Sequence, residues 1–204
     1  MPSRPTKSER TRQRILDAAA EVFAERGYEA RLTDIAARAG LQAGSLYYHF
    51  ASREALVGEI LRLGIEKSWD LVATAVGRLP SSATPLERLT AAIRAHTRSI
   101  VGQSAYASAQ ARIVGQLPND LAEAHRKDMR AYGDYWNDLF EAAREAGALA
   151  ADVDLFTVRM LAFGAMNWTA EWFRATDDAQ IEHLGDQAVR LFLHGVAADG
   201  SLPH

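Results

Sequence analysis

The sequence of 204 residues contains no cysteine, which excludes disulfides and thiolate-ligated zinc. A reducing compartment, the cytoplasm, is the expectation that fits this. No uninterrupted apolar run of about 18 residues occurs, so no membrane span is expected. The opening stretch, MPSRPTKSERTRQR, lacks the apolar centre of a secretory signal. There is no Gly-rich phosphate loop, no G-x-S-x-G and no H-E-x-x-H, so the commonest nucleotide, nucleophile and zinc-hydrolase patterns are missing. Histidines stand at 49, 96, 125, 183, 194 and 204, without tight metal-ligand spacing. His183 and His194 fall roughly three turns apart on one helix, too far to share an ion. Neither an enzyme, a cofactor nor a metal is expected. His96 and His125 are left between lining a cavity and a hydrogen-bonded structural role.

What the chain does have is helical periodicity and an uneven charge. The net charge is −3, but residues 1–60 carry nine Lys and Arg against eight Asp and Glu, and the first 15 residues five against one. A basic arm on a small module, with a mildly acidic body behind it, suits a DNA-binding head joined to a domain with another partner. For Arg4 and Lys7, a DNA contact and a solvated tail remain equal alternatives.

The fold class expected is all-α, with about nine helices. The first spans about 8–26, with an apolar line of Ile15, Ala18, Ala19, Val22 and Phe23. Ser52 caps a long fourth helix over about 53–77 that links head and body. Further helices are expected at about 85–102, 104–115, 117–147, 154–175 and 179–197. No internal repeat and no strand alternation are visible. Domain boundaries are expected at 8–68 for the head and 69–204 for the body.

Residues 31–54, RLTDIAARAGLQAGSLYYHFASRE, are the most informative stretch. Leu32, Ile35, Ala36 and Ala39 mark one face of a short helix, and Gly40 is placed to end it in the left-handed conformation. The next helix, about 43–50, presents Gln42, Ser45, Tyr47, Tyr48 and His49 around a core residue, Leu46. A purely structural helix would carry Ala, Leu, Glu and Lys there. A helix that enters a DNA groove needs small residues near its start, here Ala43 and Gly44, and hydroxyls and amides for phosphates and base edges. This is a helix-turn-helix pattern. Gln42 suits an adenine edge, and the helix N-terminus a phosphate.

At these residues the chain resembles the TetR family of transcriptional regulators. The matching runs are R-x-x-I-L-D-A-A at Arg12–Ala19, F-A-E-R-G-Y at Phe23–Tyr28, D-I-A-x-x-A-G at Asp34–Gly40 and G-S-L-Y-Y-H-F-x-S-R-E-x-L at Gly44–Leu56. They cover about the first 60 residues. The resemblance implies double-stranded operator DNA as partner and a homodimer. It also implies Leu46 and Phe50 as core residues of the head. Arg53 stands where the family usually has Lys, and its guanidinium is expected to hold a phosphate. Arg31 stands where the family usually has a capping Ser or Thr. Arginine cannot accept from backbone N–H groups, so the cap is expected to be lost and a phosphate contact kept. Thr33 is left undecided.

The body is expected to bind a small hydrophobic effector through His96, Tyr106, Gln110, Arg112, Tyr132, Trp136, Asn167 and Trp168, with core packing as the alternative for each. Tyr135 and Trp172 fall in the same aromatic and polar set. GAMNWTAEWFR at Gly164–Arg174, with ATPLERL at Ala83–Leu89, resembles TetR regulators that respond to fatty-acyl or steroid-derived CoA thioesters. An acyl-CoA effector is what that resemblance implies, with Arg94, Arg98, Arg112 and Arg174 as candidate cations. The last two helices are apolar over much of their girth, which suggests a four-helix bundle with a second copy. Leu155, Val158, Ala162, Ala165, Thr169 and Trp172 mark one face of the first, and Phe156, Met160, Phe163 and Asn167 its neighbour. Ile181, Leu184, Ala188, Leu191 and Val196 mark the second, with Gly185 and Gly195 allowing close approach. A helical lipid-binding protein or enzyme without specific DNA binding is the competing reading, and an architectural DNA-binding protein the third.

Overall fold

A computed structural model describes residues 6–194, apart from the side chain at 103. Arg4, Gly195, Val196 and His204 lie outside the described residues. Among those described there are ten α-helices and no strand. Contacts divide the chain into two compact units. One comprises the chain up to Ile65 together with Ala105–Asp128, and the other Glu66–Ser104 together with the chain from Met129 onward.

In the first unit, α1 (Lys7–Arg26) starts with a capping box: the Thr6 hydroxyl accepts from Glu9 N–H while the Glu9 carboxylate accepts from Thr6 N–H. Such a reciprocal pair satisfies two orphan donors at once. Its apolar stripe, Ile15, Leu16, Ala19, Val22 and Phe23, is buried against α2 (Leu32–Arg38) and α6 (Ala105–Ile113). Gly40 takes φ +65° and turns the chain toward α3 (Gly44–His49). Leu46 and Phe50 are buried in this core. The start of α4 (Arg53–Gly77) completes it, with Leu56, Val57, Ile60 and Leu61. At Gly64 the backbone of α4 lies so near α6 that a Cβ would collide with Gln110. α7 (Asn119–Asp128) closes the unit.

The second unit takes the rest of α4, α5 (Pro85–Arg98), α8 (Arg130–Glu145), α9 (Leu155–Trp172) and α10 (Asp178–Val189). α5 opens with a second capping box, Thr84 with Glu87, and proline in its first turn. Asp154 and Asp177 cap α9 and α10. π-helical turns follow α5 at Ser99–Gln103 and α10 at Arg190–His194.

The long helix expected over 117–147 is two helices, broken at Met129, so the count is ten and not nine. The break falls where the chain passes from one compact unit to the other. α7 buries His125 in the first core, while α8 buries Tyr132, Trp136, Leu139 and Phe140 in the second. Two cores impose two phases, and a single straight helix would not serve both.

Candidate functional site

The reading surface of the first unit is built on α2 and α3. Arg31 occupies the N-cap position of α2, extended at φ −85° and ψ 144°, and its side chain makes no capping hydrogen bond. Both Arg31 and Thr33 are exposed. Gln42, Ala43 and Gly44 are exposed, Ser45 and His49 half-buried. Open space surrounds Gly44. Tyr47 is 60% and Tyr48 84% exposed, so neither ring is taken up by the core. The His49 ring meets Tyr48 edge-on at 5.2 Å. Thus the polar and aromatic residues of α3 share its outward side, and Leu46 alone is buried within the helix. Lys7 is exposed in the first turn of α1.

Arg53 is placed differently from its neighbours in the sequence reading. It is half-buried, its guanidinium lies over the Tyr28 ring, and it donates to the Tyr28 carbonyl. The side chain therefore clamps the loop after α1. Arg38 similarly bridges to Glu21 and Glu25, and Arg14 donates to the Ala39 carbonyl beside the turn. These contacts brace the head.

The second unit brings His96, Tyr132, Trp136 and Asn167 together. His96 Nδ1 lies 3.0 Å from the Tyr132 hydroxyl, and Nε2 3.3 Å from Asn167 Oδ1. Trp136 meets His96 edge-on at 5.7 Å, and Phe163 stands 5.1 Å from both rings. Burial pushes the His96 pKa down to about 4, against the raising effect of the Asn167 hydrogen bond, so the imidazole is neutral. Burial also raises the Tyr132 phenol. Trp69 joins the cluster, 5.7 Å from Tyr132 and 6.2 Å from Tyr135. Neither Trp69 nor Phe163 was singled out as a site residue. The spacing of Ile65, Trp69, Val72 and Val76 along α4 is the signal that could have found Trp69.

The other expected effector residues are elsewhere. Tyr106, Gln110 and Arg112 lie on α6, in the first unit. The Tyr106 hydroxyl donates to the Asp17 carboxylate at 2.5 Å, and Gln13 donates to both. Gln110 is buried 3.3 Å from His125 Nε2. Trp168 is 65% exposed, one position past Asn167 and about 100° around the helix. The candidate cations of the second unit are engaged. Arg94 pairs with Asp186 at 2.7 Å, Arg98 with Asp178 at 3.1 Å, and Arg174 folds back on the carbonyls at the end of α9. Arg94 and Arg98 border a cavity of about 520 Å³ with Ala91, Ala95, Ile181 and Gly185.

Exposed apolar side chains lie along α9 and in the turn that follows α10. Phe156, Met160, Leu161, Trp168, Trp172 and Leu191 are all exposed. An apolar groove of about 210 Å³ runs beside them, lined by Met166, Thr169, Trp172, Leu184, Ala188 and Leu191 among others. Among the described residues no group of side chains could hold a metal ion, and no helix is long and apolar enough to cross a membrane.

Comparison with known proteins gives the following similarities. A family model described as "Bacterial regulatory proteins, tetR family" matches residues 15–60. A second, "Tetracyclin repressor-like, C-terminal domain", matches residues 82–196. The HTH-type transcriptional repressor KstR2 of Mycobacterium tuberculosis is 31% identical, over 93% of this chain and 94% of the relative. The solved structure of the ketosteroid transcriptional regulator KstR2 from the same organism is 29% identical, with a TM-score of 0.72, covering 90% of this chain and 93% of that one. A crystal structure of AibR in complex with isovaleryl coenzyme A and operator DNA has a TM-score of 0.76 at 24% identity, covering 90% of this chain and 98% of that one.

Proposed function

This chain belongs to the TetR family of bacterial regulatory proteins, and on that premise we propose that it is a ligand-responsive transcriptional repressor. It binds operator DNA as a homodimer and leaves it when a hydrophobic effector, such as an acyl-CoA, enters the body. The DNA-binding domain of this reading is residues 8–68, and the effector and dimerisation domain residues 69–204.

The observation that carries it is the outer side of α3 and the turn before it, where Gln42, Tyr47 and Tyr48 are exposed beside a helix anchored by Leu46. Tyrosines this exposed on a six-residue helix contribute little to the core. They suit a DNA groove, where Gln42 takes an adenine edge and Ser45, Tyr47, Tyr48 and His49 meet bases and phosphates. Ala43 and Gly44 allow the close approach. Arg31, uncapped and exposed, reaches a phosphate beside them.

The exposed apolar side chains of α9 and of the turn after α10 support the dimer. Exposed apolar surface of this kind marks an interaction site, and a twofold bundle would cover it. His96, Tyr132, Trp136 and Asn167 form the polar end of the effector site in this reading. The AibR structure, a complex with isovaleryl coenzyme A and operator DNA, lends support to the same pair of partners here. Release requires only that effector bind the DNA-incompetent state better than the competent one. A loss of ten- to a hundredfold in operator affinity needs roughly 1.4–3 kcal/mol of coupling. The protein works in the cytoplasm and has no catalytic role.

Footprinting on the DNA upstream of its own gene tests the reading. An inverted repeat is expected, its half-sites about one helical turn apart, roughly 34–36 Å, or a little more. A single asymmetric site, or no protection, overturns it.

A further inference from the structure

One buried hydrogen-bond donor of the His96 cluster has no partner. His96 Nε2 faces Asn167 Oδ1, and an amide oxygen only accepts, so Nε2 carries the proton. Nδ1 is then the acceptor and takes the Tyr132 O–H. Both imidazole nitrogens and the Tyr132 proton are thereby used. Among what remains on the protein side is a buried donor. The Trp136 indole is 1% exposed, and its Nε1–H makes no hydrogen bond of standard geometry. It points toward the Tyr132 oxygen and favours the ionised phenol, while burial, the larger effect, opposes it.

A buried donor left unpaired costs about 1–3 kcal/mol and is uncommon enough to need a reason. An acceptor brought by the ligand supplies one. Its charge state follows from the surroundings. Arg159, also on α9, is held by the Gly133 carbonyl at 2.8 Å and lies over the Phe156 ring. Arg88 is held by the carbonyls of Pro80 and Ala83. The rings ranged around Trp136 are those of His96, Tyr132, Phe140 and Phe163. A carboxylate set among these rings would be desolvated by them, which is costly.

We infer that the cluster reads an uncharged acceptor oxygen, a carbonyl carried by an otherwise apolar effector, with Trp136 Nε1–H as its donor. This rests on the proposal that the cluster belongs to the effector site. A plain hydrocarbon tail would leave the indole N–H as unsatisfied as it is now. The site therefore favours a ketone, ester, thioester or amide group over a saturated chain end.

Full-length protein labelled with ¹⁵N at the tryptophan indoles tests this, because Trp69, Trp136, Trp168 and Trp172 can be assigned with single Trp→Phe variants. The probes are 1-decalone and decalin, which share a bicyclic carbon frame and differ in the carbonyl. 1-Decalone is expected to bind at least tenfold tighter and to move the Trp136 N–H signal downfield. Trp136→Phe should erase that preference, the ratio of the two affinities falling to about one. If that variant does not fold, Asn167→Leu should narrow the preference while Trp136 still shifts. Equal binding of both probes with an unmoved Trp136 signal overturns the acceptor inference and leaves an apolar effector site standing. If neither probe disturbs Trp69 or Trp136, the cluster is packed core and both readings fall.

Discussion

The Arg53 guanidinium lies 4.2 Å from the centroid of the Tyr28 ring and donates to the Tyr28 backbone carbonyl. This joins the first turn of α4 to the loop that follows α1. Cation–π contacts contribute about 0.5–2 kcal/mol, more when desolvated, and a charged hydrogen bond adds to that. Arg53→Ala is therefore expected to destabilise the protein by about 1–2 kcal/mol in urea unfolding as well as to weaken operator binding. Unchanged stability with a flatter salt dependence of binding would mean that the side chain acts on phosphate alone.

On the outer side of α3, Tyr48→Ala and Gln42→Ala should lower operator affinity by about 1–3 kcal/mol each where a base contact is lost. Both side chains are exposed, so thermal unfolding should barely change. Wild-type affinity in both variants, measured by fluorescence anisotropy, would place the reading surface elsewhere.

Sequence was most legible where a local rule sets the structure. Ser52 and the periodic stripe behind it placed α4 at 53–77, and the structure has Arg53–Gly77. Leu46 and Phe50 were expected in the core and are there. The division at Met129 was hidden, because no proline or glycine marks it and its cause is a change of core. Side-chain partners were less legible still. Helical spacing and residue chemistry gathered His96, Tyr132, Trp136 and Asn167, yet the same logic selected Trp168, which faces outward. The bond from the Tyr106 hydroxyl to Asp17 on α1 could not be read from the sequence either. Such pairings depend on tertiary register, which a single sequence does not display.

The exposed apolar side chains of α9 and of the turn after α10 predict a result in solution. Trp172→Glu or Leu191→Glu would put a carboxylate into a surface that a second copy desolvates. Both residues are exposed in the single chain, so each variant should fold. Sedimentation at micromolar concentration should find a dimer for wild type and monomers for the variants. A dimer that survives both changes moves the interface to another face.

His96 gives the stability a pH dependence of known sign. Its pKa is about 4 when folded against about 6.5 when unfolded, so between these values the unfolded chain binds more protons. The contribution is fully present above about pH 6.5 and is lost as pH falls toward 4. It amounts to about 3 kcal/mol at most. His125, also lowered by burial, acts in the same direction. The fall in stability from pH 6.5 to 4 should be smaller in His96→Gln than in wild type. Equal falls would mean that His96 is already protonated in the folded protein.

Effector release of the operator complex is the central claim, and titrating that complex with a long-chain acyl-CoA, the matching free acid and free CoA tests it most directly. The thioester is expected to raise the apparent Kd for operator at least tenfold, and free CoA to have no effect. Release by the free acid as effective as by the thioester would reduce the effector to its hydrophobic part. An operator complex untouched by all three would contradict the account.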